Sequence, residues 1–161
     1  MTLSIHEAAS LDPETSAAIW DLLRPQYPDD GYGWALPQWH AVKWSKEGVA
    51  LAHAGIVGRQ GTCDGKLVWI GGICGVRTRE SVRRLGLATT TIQAALAFVR
   101  KNNVDLGLLL CEPELTGFYE QFGFVPFTGT LQASRPVSQG AMVLPYRRMP
   151  KRRVDLRGLP W

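Results

Sequence analysis

Arg83-Arg84-Leu85-Gly86-Leu87-Ala88 stands between an apolar, strand-like run from Val68 to Val76 and a stretch from Leu87 to Lys101. In that second stretch Ile92, Ala95, Leu96 and Val99 recur at helical spacing. Gly71, Gly72 and Gly75 interrupt the apolar run. A basic residue, two further positions, a glycine, one position and a second small residue suit a loop whose main chain closes around phosphate. Small residues let the backbone approach the ligand, and unpaired N–H groups of the helix's first turn point at it. Arg83 and Arg84 add positive charge where a pyrophosphate would lie. Many helices begin after a basic, glycine-bearing turn, so R-x-x-G-x-A gains weight only from its surroundings.

Those surroundings are a chain of 161 residues. That is enough for one domain with a real core and too few for two. Residues 1–161 therefore read as a single domain, with 145–161 as an irregular tail. No apolar run approaches the roughly 18 residues of a membrane span. Met1-Thr2-Leu3-Ser4-Ile5-His6-Glu7 shows no basic region leading into a hydrophobic stretch, so no secretory signal is expected. Cys63, Cys74 and Cys111 have no C-x-x-C spacing. This argues against a zinc site or a disulfide framework, so no metal is expected and reduced thiols suit a cytoplasmic location.

The formal charge of +4 conceals an asymmetry: residues 1–64 carry four basic and eight acidic side chains, residues 65–161 fourteen and six. A solvated surface with a basic tail explains this. So does an acidic half that meets a cationic substrate beside a basic half that meets an anionic cofactor. Six basic residues fall between Arg147 and Arg157 without interleaved aromatics or a nucleic-acid-binding motif. Nucleic acid is not an expected partner.

Along the chain, Leu3 to His6 suits a first strand. Asp12-Pro13-Glu14 opens a helix with a capping Asp, Pro at the first position and acid in the first turn. Pro25 stops it. Residues 25–38 form a loop rich in Pro, Gly, Asp and aromatics, including Tyr27, Asp29, Asp30, Tyr32 and Trp34, a composition that lines binding sites. Trp39 to Trp44 reads as a short second helix. Val49 to Val57 and Lys66 to Val76 read as strands around a turn at Gly61 to Gly65. Val104 to Cys111 is a near-continuous apolar run, as in a strand buried on both faces. Pro113 opens a helix through Phe122 that Gly123 ends. Phe124 to Phe127 and Ala141 to Leu144 form final strands around a polar turn. The order predicts an α/β domain, a mixed central sheet flanked by about four helices.

Beyond the loop and its helix comes Phe118-Tyr119-Glu120-Gln121-Phe122-Gly123-Phe124. The two signatures, in this strand and helix order, resemble the GNAT superfamily of N-acetyltransferases. The first is similar to its acyl-CoA pyrophosphate loop and the second to its L-Y-x-x-x-G-F segment. The stretch between Val76 and Arg83 runs slightly longer than usual for the superfamily, which implies a bulge. Further segments, His40-Ala41-Val42-Lys43-Trp44, Ala50 to Val57, Met142-Val143-Leu144-Pro145 and a tail ending on Trp161, are similar to aminoglycoside 2′-N-acetyltransferases. Gly72 to Arg77 and Ala52-His53 are also similar to nodulation-factor N-acyltransferases. Two departures concern the aminoglycoside group. Gly72 stands where those enzymes carry a glutamate, and Ser138-Gln139 where they carry acidic residues.

The resemblance implies a GNAT fold and transfer of an acetyl or other acyl group from acyl-CoA to a primary amine. The amine belongs to a small molecule, an aminoglycoside or amino sugar in the nearest groups, and a homodimer is left open. Acetyl-CoA or another acyl-CoA is the implied co-substrate. Cys74, Gly75, Val76, Arg83, Arg84, Leu85, Gly86, Leu87, Ala88 and Thr89 are its implied contacts. Tyr119 is the candidate general acid, since a phenol with pKa about 10 can donate toward a developing thiolate. Asp29, Asp30, Trp34 and Trp161 are candidates for the acceptor side. No residue stands out as the base: His53 suits a hydrogen-bonded core histidine, and Glu112 before Pro113 suits a helix cap. Cys74 as an acyl-carrying nucleophile has no His–Asp pair beside it in sequence. The alternatives are a longer-chain acyltransferase, for which Gly71, Gly72 and Gly75 would make room, and a non-catalytic acyl-CoA-binding domain.

Overall fold

The computed structural model describes residues 1–25, 27 and 33–161, so Asp29 and Asp30 lie outside the described residues. In order, the chain forms β1 (Thr2–Glu7), α1 (Pro13–Leu23), β2 (Trp39–Trp44), β3 (Ala50–Cys63), β4 (Lys66–Thr78) and α2 (Leu87–Lys101). There follow β5 (Leu106–Cys111), α3 (Thr116–Glu120), β6 (Val125–Phe127), β7 (Thr130–Gln132), β8 (Gly140–Pro145) and β9 (Arg153–Asp155). One mixed sheet runs β1-β2-β3-β4-β5-β8-β6, with β9 joining it at β3 and β7 pairing β9. The β4–β5 pair is parallel, with α2 as its crossover.

The helices form where the sequence carries their signals. Asp12 accepts the Thr15 N–H at 2.9 Å, and Ile19, Leu22 and Leu23 pack on Val42 and Ala50. In α2, Leu87, Thr91, Ile92, Ala95 and Val99 are buried along one stripe. Ile92, Ala95 and Val99 meet Ala41, Ala54, Ile56 and Ile73 on the opposite face of the sheet from α1.

Two expectations are corrected. Trp39–Trp44 is not a helix but β2, which leaves three α-helices among the described residues rather than about four. Ala41 belongs to the core under α2 and Val42 to the core under α1, so neighbouring residues point to opposite faces, the period of a strand buried on both sides. Both neighbours pair with it, in register from Thr2↔Trp44 to Glu7↔Trp39 and from Trp39↔Ile56 to Lys43↔Ala52. The tail from 145 is likewise structured. Its β9 pairs β3 through Thr62↔Asp155 and Cys63↔Val154. The Asp64 carboxylate accepts three main-chain N–H groups, from Lys151, Arg152 and Arg153, at 2.8–2.9 Å. The basic run is therefore held by its backbone, with Val154 and Leu156 buried within it and Trp161 buried after it.

Trp161 lies against β4, and a Cβ on Gly72 would collide with its indole ring. Overpacking of this kind costs on the order of 1–3 kcal/mol. Gly72→Ala is accordingly expected to destabilise the protein by that amount in chemical denaturation, and an unchanged midpoint would contradict this packing.

Candidate functional site

β4 and β5 run side by side only from Ile70↔Leu106 to Ile73↔Leu109. Past that rung β4 bends. Gly55 pairs Cys74 while His53 pairs Arg77, so Gly75 and Val76 oppose the single residue Ala54. This is a β-bulge, and Gly75 takes φ +53°, a left-handed conformation that glycine adopts without strain. The strands separate around an inner cavity of about 230 Å³, with Cys74, Gly75, Val76, Leu110, Glu112 and Tyr119 on its walls.

An outer cleft of about 460 Å³ adjoins it. One wall is the end of β4, Val76 to Thr78; the other is Arg83, Arg84 and Gly86 to Thr89; Phe118 and Tyr119 close the third side. The structure thus brings the expected loop residues and Tyr119 to one cleft. Leu85 is the exception, its side chain 62 % exposed and outside the cleft lining. Gly86 caps α2 at φ +72° and no side chain caps the helix. The first intrahelical bond runs from Thr90 N–H to Gly86 C=O at 3.1 Å. The amides of Leu87, Ala88 and Thr89 therefore have no helical partner, and these residues line the cleft at the positive end of the helix dipole. Arg83 shares its charge with exposed Glu80 at 3.2 Å, a pair worth little in water. Arg84 makes no ion pair among the described residues. The extra length before the loop is taken up by a 3₁₀ turn, Glu80–Val82. Arg79 ties it down through Asp21 (2.6 Å) and the Ala50 carbonyl (2.8 Å). Thr78 Oγ1, on the same wall, is buried without a hydrogen-bond partner among the described residues.

Tyr119 lies where the two spaces meet and borders both. Only 6 % exposed, its ring is met edge-on by Phe118 and Phe124. Burial pushes its pKa upward, with Cys111 and Cys74 adding to the effect, so the hydroxyl keeps its proton. Cys74 is buried too, and its thiol is pushed up to about 12. A nucleophilic cysteine needs the opposite shift, so the acyl-cysteine route finds no support in this environment.

His53 is a core histidine with a definite task. Its Nδ1–H donates to the Gly75 carbonyl at 2.7 Å, which leaves Nε2 to accept the Nδ1–H of His40 at 2.9 Å. The chain of two imidazoles pins the bulge from behind. Burial lowers His53 to about 3 and His40 to about 4, so both are neutral. An unfolded histidine titrates near 6.5. Below that pH the unfolded chain binds protons that the folded one refuses, so stability is full above about 6.5 and lost on acidification toward 4. Each proton contributes up to about 1.4 kcal/mol per pH unit. The melting temperature is expected to fall from pH 7 to pH 5, and a flat profile would contradict the neutral pair.

Behind the inner cavity lies a pocket of about 140 Å³ that shares Cys74, Gly75, Leu110 and Gln139 with it and adds Tyr27, Trp34 and Trp161. Trp34 and Trp161 thus border one pocket with Cys74 and Gly75. Arg135 stacks on the Trp34 ring at 4.1 Å and Arg59 on Trp161 at 5.3 Å. Glu112 makes no capping hydrogen bond and instead borders the inner cavity. Phe118, quoted with the segment around Tyr119, and Gln139, which stands where the aminoglycoside group carries acidic residues, both line the site, while Thr78 carries no signal in the sequence. Among the described residues no group of three His, Cys, Asp or Glu side chains is gathered to hold a metal ion. Among the described residues no helix is long and apolar enough to cross a membrane.

The sequence pattern of the acetyltransferase (GNAT) family matches residues 6–124. No curated protein sequence matches the chain significantly. Solved structures do share its fold. A GNAT family N-acetyltransferase from Escherichia coli in complex with CoA superposes with a TM-score of 0.67 at 15 % identity, covering 97 % of this chain and 89 % of that one. A GNAT family acetyltransferase from Brucella melitensis in complex with acetyl-CoA gives 0.63 at 16 % identity, covering 95 % and 94 %. An acyl-CoA N-acyltransferase from Pseudomonas aeruginosa gives 0.64 at 15 % identity, covering 88 % and 97 %.

Proposed function

The chain belongs to the acetyltransferase (GNAT) family, and on that premise we propose that it moves an acyl group from acyl-CoA to a primary amine of a small molecule by direct attack. The observation that carries this reading is the continuity of the space. The uncapped amides of 87–89, the splayed strands and Tyr119 line one path from solvent to the sheet interior. CoA's diphosphate would sit on the loop amides with Arg84 beside it, as anions do at helix N-termini. The pantetheine arm would follow the end of β4, whose β5-facing polar groups have lost their strand partner, and the thioester would rest beside the bulge.

In the transfer, the neutral amine nitrogen bonds to the thioester carbonyl carbon as the carbon–sulfur bond breaks. The leaving sulfur takes the Tyr119 hydroxyl proton, and the nitrogen gives up one of its own. Glu112, the one carboxylate on the inner cavity's wall among the described residues, accepts it directly or through water. Trp34 and Trp161, which wall the pocket adjoining the inner cavity, would meet the amine end of the acceptor, and Asp29 and Asp30 remain candidates for pairing its charge. The likeness of 40–44, 50–57 and 142–145 to enzymes that acylate amino sugars supports an amine carried on a sugar.

A coenzyme-A-release assay tests the reading, with acetyl-CoA offered against aminoglycosides, amino sugars, polyamines and peptide amines. Acceptor-dependent thiol release is the expected result. Acyl-CoA binding without turnover against every amine would overturn the transferase reading in favour of a binding domain.

A further inference from the structure

The inner cavity does not end at the bulge but continues into the 140 Å³ pocket, which has the indole of Trp161 in its wall. That indole is fixed from several sides. Its N–H donates to the Leu108 carbonyl at 3.2 Å, Arg59 stacks on it, and the Pro160 carbonyl beside it accepts the Ala35 N–H at 2.7 Å. The ring fills the room above Gly72, beside the Gly72↔Leu108 rung and one rung before the parallel pairing ends at Ile73↔Leu109.

Resting on the acyl-CoA reading of the cleft, we propose that Trp161 sets the upper limit on acyl-chain length by blocking the pocket behind the thioester. The glycines of β4 had suggested room for a longer chain, and the fold withdraws it. Val99 occupies the space at Gly71 and Trp161 that at Gly72. At Gly75 the Tyr27 hydroxyl and the His53 ring stand 3.0 and 3.4 Å from the place of a Cβ. The pocket is small, about 140 Å³. The acyl chain and the attacking amine must share it. A short acyl group fits, and each further methylene has nowhere apolar to go unless the indole is removed.

The test is calorimetric binding of CoA, acetyl-CoA, butanoyl-CoA and hexanoyl-CoA to the wild-type protein, Trp161→Ala and Trp161→Phe. The wild-type protein is expected to gain no affinity beyond acetyl-CoA. In Trp161→Ala the hexanoyl-to-acetyl affinity ratio rises at least tenfold, while CoA itself binds within about twofold of wild type. Trp161→Phe, which keeps most of the packing, falls between. Leu110→Phe removes no packing and adds bulk at the mouth of the pocket, so it should weaken butanoyl-CoA relative to acetyl-CoA even if Trp161→Ala does not fold. A wild-type protein that already prefers hexanoyl-CoA, or ratios unmoved in the variants that fold, would overturn the assignment. Failure of the wild-type protein to bind any CoA species would instead overturn the reading of the cleft, so the two failures are distinguishable.

Discussion

Tyr119→Phe is expected to lower the rate of acyl transfer by about 10²–10⁴-fold, the usual contribution of a positioned proton donor. The affinity for acetyl-CoA should stay within about twofold. The substitution removes one oxygen and leaves the ring between Phe118 and Phe124, so the packing of α3 on β6 survives. What disappears is the only phenol bordering both the outer cleft and the inner cavity among the described residues. Because burial keeps that hydroxyl protonated, the donor is available throughout the neutral range, and the loss should not depend on pH between 6 and 8. Single-turnover measurements decide the matter, since a slow product-release step would hide the effect in the steady state. An unchanged single-turnover rate contradicts the assignment.

Ala88→Asp is expected to reduce affinity for CoA at least 100-fold without lowering thermal stability. Ala88 lies in the first turn of α2, half-buried at the cleft. A carboxylate there favours the helix by about 0.3–1 kcal/mol through the dipole. The same charge meets the diphosphate head-on. Two unit charges 4 Å apart interact by about 4 kcal/mol at an effective dielectric constant near 20. Repulsion of that size amounts to between two and three decades of affinity. Fluorescence-monitored melting and a CoA titration on one sample separate the two effects. Weakened binding together with a lowered melting temperature would point to a damaged loop and remove the support for anion binding.

Features encoded locally are legible in the sequence. The Leu87–Lys101 stripe gave the helix its bounds, and Asp12-Pro13 gave α1 its start. The loop and the Tyr119 segment marked two walls of one cleft. Features made by distant partners were not legible. Trp39–Trp44 has apolar residues at spacings that either a helix or a doubly buried strand accepts, and only its neighbours β1 and β3 decide between them. The tail carries no apolar period, because its order comes from one carboxylate, Asp64, gathering three amides far away in the chain. Gly72 looked like freedom and is instead the seat of Trp161. His53 was readable as a core histidine, but its grip on the bulge at Gly75 required the fold to bring β3 against β4.

The central claim is that CoA is held by the main-chain amides at the start of α2. It is tested most directly by following the amide resonances of the ¹⁵N-labelled protein during titration with CoA. Saturable shifts concentrated at Gly86, Leu87, Ala88 and Thr89, with Thr78 and Tyr119 following, are the predicted result. Unmoved resonances at 86–89 with CoA bound, or shifts gathered instead around Trp39, Trp69 and Phe98 at the other end of α2, would contradict it.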